Sequence, residues 1–122
     1  MTVLSKHDAL LLDLDGTVWE GGRPLSNVVD VINTCGVPAV YVTNNASRSP
    51  QAVAEMLADI GLTAGTEQIV TSAQAVLQLA AEEVPAGAKL LIIGADSLRD
   101  LARDMGFKVV SSADDKPAAV VQ

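Results

Sequence analysis

The run Leu10-Leu11-Leu12-Asp13-Leu14-Asp15-Gly16-Thr17 passes from an apolar stretch into two carboxylates, a glycine and a hydroxyl. An apolar run bounded by turn residues predicts a strand buried on both faces. The carboxyl end of such a strand is where open α/β sheets place their ligands. Asp13 and Asp15 are two residues apart, so they point the same way while the chain stays extended. Gly16 then allows a sharp turn and a close approach of backbone to ligand. Two carboxylates crowded on one edge repel each other, and a divalent cation or a shared proton between them relieves the repulsion. The set suits a carboxylate nucleophile, a metal ion and a neighbouring acid–base group. A second apolar run, Ala39–Val42, ends in Thr43-Asn44-Asn45-Ala46-Ser47. Backbone N–H groups at such a strand-to-loop turn can form an anion-binding concavity. Asparagine equally suits a plain turn, because it tolerates left-handed backbone and bonds its own main chain.

Asp13-Leu14-Asp15-Gly16-Thr17 resembles motif I of the haloacid dehalogenase (HAD) superfamily of phosphatases, and Val40-Tyr41-Val42-Thr43-Asn44-Asn45-Ala46-Ser47 resembles motif II. The doubled asparagine is similar to the NagD-type and p-nitrophenylphosphatase-like subgroup. The resemblance implies a Mg²⁺-dependent phosphomonoesterase working through an aspartyl phosphate. Asp13 would be the nucleophile and a metal ligand. Asp15 would protonate the leaving oxygen, later activate water, and ligate the metal through its carbonyl. Thr43, Asn44 and Asn45 would bind the substrate phosphate, Thr43 through its hydroxyl and Asn44 through its N–H. The substrate class implied is a small phosphorylated metabolite: a polyol phosphate, phosphoglycolate, a sugar phosphate or a nucleotide.

The same resemblance implies a motif III lysine, motif IV acids and a cap domain, and these are expected beyond Gln122. Residues 1–122 are therefore expected to be the N-terminal part of a core domain, inactive or nearly so alone and a possible homo-oligomer in the complete protein. Asp114-Asp115-Lys116-Pro117 has lysine, proline and acids in the wrong order for either missing motif and reads as a solvated loop. The alternative function is a non-catalytic or receiver-like phosphate-responsive binding module, with Asp96 as the acceptor. Asp96 reads more simply as the start of a helix.

Residues 18–24 occupy the place of the superfamily's flap, with Gly21-Gly22 suited to a tight hairpin turn or hinge. Trp19 either packs over the site or is a partly buried aromatic of a surface hairpin. Arg48 either steers an anionic substrate or is a solvated surface arginine.

The elements that must position these residues alternate along the chain. Val28, Val31, Ile32 and Cys35 follow the spacing of a helical stripe; so do Val53, Met56, Leu57 and Ile60, then Ala73, Val76, Leu77 and Ala80, then Leu98, Leu101, Ala102 and Met105. Ser49-Pro50 predicts a helix start and Gly61 its end. Ser97 with Asp100 resembles a capping box, and Gly106 closes that helix. Between them lie apolar runs at Ala9–Leu14, Ala39–Val42, Leu90–Ile93, Val109–Val110 and Ala118–Val121. Strands alternating with helices predict an α/β fold, a Rossmann-like parallel sheet with helices on both faces.

Hydrophobic residues make up 49% of the chain and aromatics 2%, so the core must be aliphatic. The net charge of −7 argues against nucleic acid or an anionic membrane as partner. Any phosphate site must then rely on backbone N–H groups, a metal or single basic residues. Cys35 is the only cysteine, which excludes an intrachain disulfide and favours a cytoplasmic location. No G-x-G-x-x-G or P-loop pattern supports a dinucleotide or nucleotide fold site.

Overall fold

An apolar run entering the core must pair its backbone N–H and C=O groups, and residues 10–13 do so as strand β1 (Leu10–Asp13). The strand is half-buried on one face instead of buried on both: Leu10 and Leu12 are partly covered, Leu11 and Asp13 exposed. The computed structural model describes residues 3–122. After β1 comes a hairpin of β2 (Trp19–Glu20) and β3 (Arg23–Pro24), paired antiparallel. Gly21 and Gly22 lie at its tip with φ of 58° and 80°. Two consecutive left-handed residues are what a tight I′-type hairpin turn needs, as the glycine pair predicts. The chain continues through α1 (Val28–Thr34), β4 (Ala39–Thr43), α2 (Pro50–Asp59), β5 (Ile69–Thr71) and α3 (Ser72–Glu83). It ends through β6 (Lys89–Ile92), α4 (Asp96–Asp104), β7 (Lys108–Val110) and β8 (Ala119–Val121).

The expected α/β class is realised as two small sheets, ordered β1-β4-β5 and β7-β6-β8. β1 pairs in parallel with β4, from Leu10 opposite Ala39 to Asp13 opposite Val42. β6 pairs in parallel with both of its neighbours. Contacts divide the chain into two compact units: residues up to Thr43 with 50–70, and 44–49 with 71–122. The sequence reading takes 1–122 as the N-terminal part of a core domain. Strand–helix alternation reads the same whether successive strands join one sheet or two, so the division is invisible to periodicity.

In the first unit Leu14, Tyr41, Val53, Leu57, Leu62 and Ile69 are buried together, with Leu10, Leu12, Val28 and Ile32 packed against them. The strands alternate, so the opposite pleat carries Leu11, 75% exposed, with Val42 and Val70. The second unit buries Leu77 of α3 and Leu98 and Ala102 of α4 against Leu90, Ile92 and Val121.

Helix boundaries follow local chemistry. α2 begins at Pro50 and Gly61 turns the chain at φ 95°, both as expected. Thr71 and Gln74 form a reciprocal capping box at α3, a T-x-x-Q signature that the sequence carries and that a search for apolar stripes passes over. The box expected at Ser97 and Asp100 does not form: α4 starts at Asp96 with Ala95 as its cap. Ser97 lies inside the first turn and donates to the Ser47 carbonyl at 3.2 Å, while Asp100 pairs with Arg103. Cys35 is half-buried at the end of α1, its Sγ near the Ile32 and Val37 carbonyls.

Tyr41 is buried on β4, and burial followed by the nearby Cys35 raises its phenol above the usual value of 10.0. The folded state therefore favours the neutral phenol, and the stability this supplies is complete below pH 10.0. It is lost as pH rises through the folded value. Thermal unfolding followed across this range is expected to show a steeper alkaline loss for the natural protein than for Tyr41→Phe. Parallel curves would refute it.

Candidate active site

Asp13 is the last residue of β1 and is exposed at the strand's carboxyl end. The chain then folds tightly over the Leu14 carbonyl, which accepts from the N–H groups of Thr17, Val18 and Trp19 at 3.1, 2.9 and 3.2 Å. Gly16, at φ 82°, makes this reversal with no side chain to strain. Leu14 and Val18 are buried and act as pegs, so Asp15, between two fixed points, is held at the surface. Its Oδ1 accepts a hydrogen bond from Trp19 Nε1 at 3.0 Å. Sequence reasoning raised Trp19 as a packing residue only. A donor-bearing ring four residues after an acid, across a glycine turn, was the available signal.

Thr43 closes β4 one residue beyond Val42, the partner of Asp13. It is 4% exposed. The first unit thus brings Asp13, Asp15 and Thr43 to the carboxyl edge of adjacent parallel strands. Alternation sets the Asp13 and Thr43 side chains on opposite pleats.

Asn44 and Asn45 follow Thr43 directly but cluster with the second unit. There the Asn44 carbonyl accepts from Ser72 Oγ at 2.9 Å. Asn45 Oδ1 accepts from the Ser47 N–H at 2.9 Å and from the Ser47 hydroxyl. This is the side-chain-to-backbone turn that asparagine favours. Ser72 and Ser97 therefore tie the segment to the starts of α3 and α4, a role that no local pattern announces.

Among the described residues no group of three or more His, Cys, Asp or Glu side chains gathers as a metal centre. Asp13 and Asp15 present hard oxygen donors at an exposed strand end, the chemistry a Mg²⁺ shell uses in part. Asp96 opens α4 and pairs with Arg99 at 2.9 Å, in keeping with a helix-start role. In the 113–117 loop, Ala113–Asp115 is a 3-10 turn and Lys116 follows it with left-handed backbone, exposed like its neighbours Asp114 and Asp115. No helix among the described residues is long and apolar enough to cross a membrane.

A family model described as haloacid dehalogenase-like hydrolase matches residues 10–108. Over 121 residues the chain is 40% identical to D-glycerol 3-phosphate phosphatase of Mycobacterium tuberculosis, covering 99% of this chain and 34% of that protein. The crystal structure of glycerol phosphate phosphatase from that organism, in complex with magnesium, matches 100% of this chain and 37% of its own with a TM-score of 0.95 at 40% identity. An acid sugar phosphatase of Staphylococcus aureus is 32% identical over 109 residues, covering 87% of this chain and 42% of that protein. The p-nitrophenyl phosphatase from Archaeoglobus fulgidus matches with a TM-score of 0.79 at 25% identity, over 93% of this chain and 43% of that one. The chain thus spans 34% of the length of the mycobacterial phosphatase and 42% of that of the staphylococcal one.

Proposed function

The chain belongs to the haloacid dehalogenase-like hydrolase family, and we propose that the whole protein is a Mg²⁺-dependent phosphomonoesterase for a small polyol or sugar phosphate. The observation that carries this reading is the pair Asp13 and Asp15, set at the carboxyl end of β1 around a glycine turn. Names of the relatives support the substrate class: one acts on D-glycerol 3-phosphate, another is an acid sugar phosphatase.

An Asp13 carboxylate oxygen attacks phosphorus in line with the ester oxygen, and the P–O ester bond breaks. Asp15 gives its proton to the departing alkoxide. In the second half Asp15 takes a proton from water, the water oxygen bonds phosphorus, and the bond to Asp13 breaks to release phosphate. Phosphoryl transfer depends chiefly on such positioning and on charge neutralisation. The Asp13 carboxylate and the Asp15 carbonyl would hold Mg²⁺, which when bound offsets the negative charge of the phosphoryl oxygens. The Thr43 hydroxyl and the Asn44 N–H donate to those oxygens, and Asn45 shapes the turn that presents them. A single cysteine suits a reducing, cytoplasmic setting.

Phosphate release by the complete protein from glycerol phosphate, sugar phosphates and p-nitrophenyl phosphate tests the reading. Chelation of divalent cations is expected to remove nearly all turnover, by roughly 10²-fold or more, and Mg²⁺ is expected to restore it. Turnover of none of these esters in the presence of Mg²⁺ would overturn the proposal, and turnover unaffected by chelation would overturn its metal.

A further inference from the structure

Trp19 lies beside the proposed reaction centre without being part of it. The residue is 5% exposed and belongs to the core of the first unit with Leu14 and Val18. The indole N–H nevertheless reaches an exposed carboxylate, Asp15 Oδ1, at 3.0 Å. The backbone holds both residues in that relation. Asp15 and Trp19 form an isolated bridge, and the Gly16 N–H donates to the Trp19 carbonyl at 2.8 Å. An exposed aspartate otherwise samples several rotamers in water, and ordering it costs side-chain entropy at the moment of reaction. Here the ordering is built in, because the donor belongs to a side chain already locked by packing.

We infer that Trp19 is the positioning residue for Asp15, holding Oδ1 so that Oδ2 is the oxygen that carries the travelling proton. The inference rests on the phosphatase reading. Its chemistry follows from the indole, whose N–H donates and never accepts. The oxygen that receives this hydrogen bond points a lone pair at it and is the poorer place for a hydroxyl hydrogen. Oδ2 is therefore the oxygen that gives the proton to the leaving alkoxide as the P–O ester bond breaks, and that takes one from water as the bond between phosphorus and the Asp13 oxygen breaks. Because Trp19 is also the first residue of β2, the Gly21-Gly22 hairpin and the acid–base group are one mechanical piece.

Leaving-group dependence separates this role from ordinary packing. An alkoxide needs the proton to depart, whereas p-nitrophenolate leaves as a stable anion. In the complete Mg²⁺-loaded protein, Trp19→Phe keeps most of the ring and removes the donor. It is expected to lower kcat on glycerol 3-phosphate by about 10-fold or more, with KM nearly unchanged. On p-nitrophenyl phosphate the loss is expected to stay within about 3-fold. Equal losses on both esters, or no loss on either, would overturn the inference while leaving the phosphatase reading intact. A natural protein that turns over neither ester overturns both.

If Trp19→Phe does not fold, the ¹⁵N–H resonance of the Trp19 indole is compared between the natural protein and Asp15→Asn. The amide oxygen differs from the carboxyl oxygen in acceptor strength whichever protonation state Asp15 holds, so the indole proton resonance is expected to shift in the variant. An unchanged resonance would show that the indole does not hold Asp15.

Discussion

In the complete Mg²⁺-loaded protein, Asp13→Asn is expected to lower kcat for phosphate-ester hydrolysis by at least about 10³-fold, because it replaces the attacking carboxylate with a non-nucleophilic amide of the same shape. Shape matters to the interpretation. Asp13 is exposed at the end of β1, its backbone paired opposite Val42, so the substitution removes a charge without opening a cavity. Thermal stability should stay within about 0.5 kcal/mol of the natural protein, as for most surface changes away from a packing feature. Activity and stability must therefore separate. Rapid-quench trapping of phosphorylated protein from labelled substrate gives the second readout: a covalent phosphoryl group at Asp13 in the natural protein, and none in the variant. Full activity in Asp13→Asn would remove the nucleophile from the mechanism. Trapped phosphate at Asp96 instead would favour the receiver-like alternative.

Leu57→Ala is expected to destabilise the first unit by about 2–5 kcal/mol. Leu57 is 0% exposed, and it faces a cluster that includes Leu14, Tyr41, Val53 and Leu62. The Leu62 N–H also bonds the Leu57 carbonyl at 2.9 Å, closing the helix end over this side chain. The cavity left by truncation would lie under β1 and β4, the strands that carry Asp13 and Thr43. Leu11→Ala is the matched control, since Leu11 is 75% exposed on the opposite pleat of β1. It is expected to cost less than about 1 kcal/mol. Denaturant unfolding of both variants decides the matter. A Leu57→Ala cost no larger than that of Leu11→Ala would mean that the α2 face is not where this unit gains its stability.

The comparison of those two leucines shows where a sequence stops being informative. Leu10, Leu11 and Leu12 form an uninterrupted apolar run, which reads as a strand buried on both faces. In the fold only one pleat is covered: Leu10 and Leu12 pack against the core, and Leu11, on the other pleat, is left exposed. Composition says that leucine is apolar, but only the arrangement of neighbouring elements says which leucine is dry. Missed caps have a related cause. Ser97 sits near enough to the helix start to mimic a cap, yet α4 begins one residue before it. The hydroxyl is taken instead by Ser47, fifty residues away in sequence. A long-range hydrogen bond competes with the local one, and local patterns contain no term for it.

By itself the sequence determined the local chemistry: an acid pair at the end of an apolar strand, a glycine that reverses the chain, a Gly-Gly hairpin, and helical stripes with their stops at Gly61 and Gly106. These are properties of short segments, set by backbone sterics and by a hydrophobic period of a few residues, so a linear reading reaches them. Tertiary structure alone decided that the strands form two sheets instead of one, and that residues 44–49 cluster with 71–122 while 50–70 cluster with the chain before them. It also aimed the Trp19 indole at Asp15. Those outcomes depend on which surfaces meet after the chain has turned back on itself. That choice is made by the free energy of the whole packed arrangement, in which many strand pairings satisfy the same local pattern and one buries the most.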